Sequence, residues 1–141
     1  MQLKQNSFPY YSKLFPELVN ILEMCETAEY IELLSLYEQA ITFFKNNNFK
    51  ESISILENII SSCFLKIGNG KFNGFKEIET FPLLYVIANY LKGFILFVMK
   101  DYSSSRICFQ TCLENSYRIL DSRLFQAICF FYEVGKIIIK N

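Results

Sequence analysis

Two stretches of the chain carry the same pattern 53 residues apart, and this recurrence narrows the possible folds more than any other feature. LLSLYEQAITFFKNNNFKESISILENII begins at Leu33 and VIANYLKGFILFVMKDYSSSRICFQTCL begins at Val86. Tyr37 falls on Tyr90, Ala40 on Gly93, Phe44 on Phe97, Asn48 on Asp101, Phe49 on Tyr102, Ser52 on Ser105 and Leu56 on Phe109. Each copy therefore has a small residue in mid-helix, then an Asn/Asp-aromatic pair, a serine and finally a large apolar residue. Apolar positions recur at helical spacing, as in Ile53, Leu56, Ile59 and Ile60. The pattern predicts an all-α fold of antiparallel helical pairs.

Two helices joined by a short turn pack closely only where small side chains let the backbones approach. Ala40 with Ser52, and Gly93 with Ser105, supply those points; Phe49 and Tyr102 plug the turns, and Leu56 and Phe109 fill the space between helices. On these residues the chain resembles the tetratricopeptide (TPR) repeat, whose unit is two antiparallel helices. It departs from that pattern at Leu36 and Asn89, where an aromatic usually opens the first helix, and at Ile59, where a small residue is usual. Neither copy carries the proline that often ends the unit. The resemblance implies a binding role and no chemistry.

Composition agrees with a binding role. A chain of 141 residues suits one domain that buries roughly 68–70% of its unfolded surface. Lys+Arg and Asp+Glu both number 14, so there is no basic field to attract nucleic acid. The sequence contains no histidine, the commonest metal ligand and general base near neutral pH. Cys25, Cys63, Cys108, Cys112 and Cys129 are odd in number and mostly on apolar faces, as expected for buried reduced thiols in a cytoplasmic or nuclear protein. Cys108 and Cys112 share a helix face but lack two further ligands for a metal. GNGKFNG lacks the ending of a phosphate loop, and Glu26 and Glu29 read as a solvated surface. No cofactor, metal or catalytic constellation is expected.

Helix punctuation divides the single domain. Residues 1–30 hold an irregular start and a helix over about 16–26, opened by Pro16. Repeat one covers 31–65, with helices over about 28–46 and 49–65. Residues 66–80 carry three glycines and read as a loop, with Phe72, Phe75 and Ile78 available for contact. Repeat two covers 81–119, capped by Thr80 with Pro82 in its first turn. Residues 120–141 form a last helix, capped by Asp121 or Ser122. This helix continues the register at 34 residues, placing Ala127 on Gly93 and Phe131 on Phe97, and closes the stack as the first half of a third unit.

Phe81–Met99 is long enough to span a bilayer, but Asn89, Lys92 and Gly93 sit at its middle, where a charge costs about 2.5–3.5 kcal/mol. Met1–Tyr11 lacks a signal-peptide pattern.

The TPR resemblance implies a concave inner face lined by first helices. Here it would carry Leu34, Tyr37, Ile41, Phe44, then Ile87, Tyr90, Phe94, Phe97, then Leu124, Ile128 and Phe131. The Lys, Asn and Arg with which some family members clamp chaperone tails are absent from it. The expected function is a protein-interaction adaptor or scaffold subunit that takes an apolar or helical partner segment on this face. Other readings are a ligand- or peptide-sensing helical domain closed by the glycine loop, and a membrane-associated helical protein. Within the first, the inner-face residues are either partner anchors or core covered by the chain's own N-terminal helix.

Overall fold

A computed structural model describes residues 28–67 and 80–140. Among these residues every regular element is a helix: α1 (Ala28–Lys45), α2 (Phe49–Ile67), α3 (Thr80–Val98), α4 (Tyr102–Glu114) and α5 (Ile119–Lys140). The chain is all-α. The helix expected over 16–26 and most of the glycine-containing loop lie outside the described residues.

Each helix packs chiefly on the next in sequence, and α1 also touches α3. The α1–α2 and α3–α4 pairs are antiparallel hairpins whose details recur at the 53-residue offset. The Ser52 hydroxyl donates to the Ala40 carbonyl at 2.7 Å, and the Ser105 hydroxyl to the Gly93 carbonyl at 2.7 Å. Both turns reverse through one left-handed residue, Asn47 (φ 63°) and Lys100 (φ 66°). The amides of Asn48 and Asp101 then donate to Phe43 and Leu96 carbonyls, closing each first helix at 2.8 and 2.9 Å. The Asp101 side chain caps α4 by accepting from the Ser104 amide. Phe49 meets Phe44 with ring centroids 5.9 Å apart, and Tyr102 meets Phe97 at 5.8 Å.

Packing explains why α3 is the most apolar element. Leu84, Val86, Ile87, Ala88 and Ile95 are fully enclosed, with α2 on one side and α4 on the other. Its window Phe81–Val98 is long and apolar enough to cross a membrane, and 72% of it is buried inside the protein. Asn89 fits there because its side-chain amide donates to the Tyr85 carbonyl.

The second hairpin ends earlier than the sequence predicts. α4 stops at Glu114, not 119, because the Ser116 and Tyr117 amides turn back onto the Leu113 and Cys112 carbonyls. Ser116 and Arg118 adopt positive φ. Consequently α5 opens at Ile119, ahead of Asp121 and Ser122. Asp121 instead accepts from the Arg118 guanidinium at 3.2 Å, and the Ser122 hydroxyl donates to the Tyr117 carbonyl.

Candidate functional site

The residues expected on an open inner face are mostly interior. Leu34, Tyr37, Ile41, Ile87 and Tyr90 are at most 4% exposed. Phe44, Phe94 and Phe97 are half-buried. The rings form a continuous chain: Phe44 meets Phe94 edge-on at 5.9 Å, joining α1 to α3. Phe94 and Phe97 meet Phe125 of α5 at 5.8 and 5.4 Å. Tyr90 lies edge-on to Phe109, Tyr117 and Phe125, with the Arg118 guanidinium 5.3 Å from its ring centre. These side chains fasten first helices to one another and to α5. Tyr37 and Tyr90 are therefore interior and not surface residues, whereas Phe44, Phe94 and Phe97 keep part of their rings in water.

Phe125 is the residue that the sequence does not single out. It stacks on Phe109 with centroids 5.0 Å apart and planes within 9°, and gathers Tyr90, Phe94 and Phe97 around it. With buried Cys129 and Ser122 it makes the inner side of α5. The Cys129 thiol donates to the Ser105 hydroxyl, and Tyr132 stacks on Tyr102 at 4.9 Å. Arg106 reaches Glu133 at 2.7 Å, and its guanidinium holds that carboxyl below the usual range.

The opposite side of α5 is open and apolar. Leu120 is 84% exposed, Leu124 59%, Phe131 73% and Ile138 68%, with Ala127, Phe130 and Val134 also at the surface. In the 34-residue register Leu120, Leu124, Ala127 and Phe131 correspond to Val86, Tyr90, Gly93 and Phe97. Those α3 residues are covered by α4: Cys112 on the Val86 carbonyl, Phe109 on Tyr90, Ser105 on Gly93, Tyr102 on Phe97. In α1 the same positions at Ala40 and Phe44 receive Ser52 and Phe49 of α2. Among the described residues, the exposed side of α5 thus lies at sequence offsets whose counterparts on α3 and α1 are covered by α4 and α2.

Other features offer less chemistry. Burial pushes the Cys108 thiol up to about 11 and raises the Cys112 and Cys129 thiols, so all three are poor nucleophiles at neutral pH. No group of three or more Cys, Asp or Glu side chains able to hold a metal occurs among the described residues. A shallow groove of about 470 Å³ runs beside α5, lined by Arg106, Arg123, Gln126, Ala127 and Phe130. No protein-family model matches the chain, and no curated protein or solved structure matches it either.

Proposed function

We propose that this chain is a non-catalytic protein-interaction scaffold of TPR-like helical hairpins, which docks an apolar face of a helix on the uncovered side of α5. The observation that carries this reading is the register equivalence of Leu120, Leu124, Ala127 and Phe131 with residues that a second helix covers in the hairpin before them. A surface of the kind that a helix covers in two places is left uncovered by the described residues in the third. Helix-in-groove recognition uses anchors at this spacing. Single exposed apolar residues are ordinary, whereas a contiguous stripe along one helix marks an interaction site.

The docking mode sets the probe. A synthetic peptide copying α2, residues 49–67, presents the serine and aromatic that cover Ala40 and Phe44. Titrated into the labelled protein at a concentration where the chain is monomeric, it is expected to shift the amides of residues 120–138 in a saturable manner. Shifts centred on another surface, or none, would refute the α5 docking face.

A further inference from the structure

The bare side of α5 has a second property. Its apolar positions, Leu120, Leu124, Ala127, Phe131, Val134 and Ile138, are spaced alternately by four and three residues, the seven-residue repeat of a coiled-coil seam. We propose that the occupant of this face is a second copy of the chain, with the two α5 helices antiparallel about a two-fold axis at position 129. The proposal rests on the docking reading above and names its partner.

Self-pairing fits the side chains in one orientation. Antiparallel about that axis, Leu120 meets Ile138, Leu124 meets Val134, and the small Ala127 meets the large Phe131. Arg123, at the edge of the seam, falls opposite Gly135, which has no side chain to crowd it. Parallel pairing would instead set Phe131 on Phe131, Ala127 on Ala127 and Arg123 on Arg123, combining a clash, a void and a like-charge contact. A C₂ interface demands this kind of self-complementarity.

Charge and area agree. Asp121, Glu133 and Lys136 of α5 are engaged within their own chain: Asp121 with Arg118, Glu133 with Arg106, and Lys136 over the Tyr102 ring at 5.6 Å. No charge stands in the seam to select a partner of opposite sign. By their fractional exposures the stripe residues leave roughly 700 Å² of mostly apolar surface in water, beyond the ~300–600 Å² usual for a monomer's largest patch and near the ~800 Å² each partner gives a standard interface.

Sedimentation equilibrium of the full chain across micromolar concentrations tests this. The expected species has twice the 16.6 kDa chain mass. Leu124→Glu combined with Phe131→Glu should yield a monomer with unchanged helicity, whose melting midpoint no longer rises with protein concentration, since both side chains face water within the single chain. Leu65→Glu, at an 82% exposed position on α2, should leave the dimer intact. A wild-type monomer throughout that range, or a dimer indifferent to the double substitution, overturns the proposal. If the chain is monomeric while the 49–67 peptide still shifts residues 120–138, the docking face stands and the second copy falls. If the peptide also fails, both fall.

Discussion

Gly93 and Gly135 are both helical glycines, and the same substitution at each should have opposite effects. Replacing a mid-helix glycine by alanine normally stabilises by about 0.5–1 kcal/mol, through lower unfolded-state entropy and better helix propensity. At Gly135 a Cβ would meet nothing of its own chain within 4 Å, so in the monomeric Leu124→Glu, Phe131→Glu background Gly135→Ala should show that gain. At Gly93 the Cβ would lie 3.0 Å from the Cys108 Cβ and 3.2 Å from two atoms of the Phe109 ring. Cys108 Cβ moves only with the α4 backbone, and the Phe109 ring is pinned flat against Phe125. Separating the helices also lengthens the 2.7 Å hydrogen bond from Ser105 to the Gly93 carbonyl. Overpacking of this sort costs about 1–3 kcal/mol, which exceeds the propensity gain. Gly93→Ala should therefore destabilise by about 1 kcal/mol net, and Gly93→Leu by about 3 kcal/mol or more, since a larger side chain has no space at all. Urea denaturation followed by far-UV circular dichroism measures both, with a shared m-value as the check that only stability has changed. If Gly93→Ala raises the midpoint as Gly135→Ala does, the close approach of α3 and α4 at this point is wrong.

The recurring serine bonds predict that Ser52→Ala and Ser105→Ala each cost about 0.5–1.5 kcal/mol and agree within about 0.5 kcal/mol, measured by the same denaturation; a large effect at one site alone would break the equivalence of the hairpins. The raised Cys108 thiol predicts an alkaline loss of stability. Because the native state holds that proton more tightly, the contribution is complete below pH 9 and is lost as pH rises toward 11, a share on the order of 2–3 kcal/mol that Cys108→Ala should remove while the loss due to Cys112 and Cys129 remains. Truncating Phe125 to alanine should cost about 3–5 kcal/mol and should strip hydrogen-exchange protection from residues 119–140 before residues 28–67; uniform loss would mean that α5 and α1–α2 open as one unit.

The hairpins are legible in the sequence because local rules and packing agree there. A small residue, a polar-aromatic turn and a serine at fixed spacing leave the chain one economical way to pair its helices. The left-handed residues Asn47 and Lys100 are not legible in the same way, since a lysine at positive φ follows only from the closure of the turn around it. Nor is the end of α4 at Glu114: TCLENSYRIL keeps apolar residues at a spacing compatible with helix through 119, and the break comes from the fold of Cys112–Tyr117 onto itself. The candidate site was harder still. Tyr90 and Leu124 hold one register position on apolar faces of similar character, yet one is 4% and the other 59% exposed. What separates them is whether a helix lies over that face, and no property of the residue itself records this.

The openness of α5's outer side is imposed by its inner side. Rotating α5 about its axis to bury Leu124 and Phe131 would drag Phe125 away from Phe109 and lift Cys129 off Ser105. It would also break the Arg106–Glu133 pair and the Tyr132–Tyr102 stack. A buried phenylalanine is worth about 1.5–3 kcal/mol, so the exchange gains little on one face that it does not lose on the other. Both faces are apolar, and the chain's own helices cover one. The second is left in water by the described helices, so the exposed apolar surface lies on the outer side of α5 and not at Tyr37 or Tyr90, which are interior.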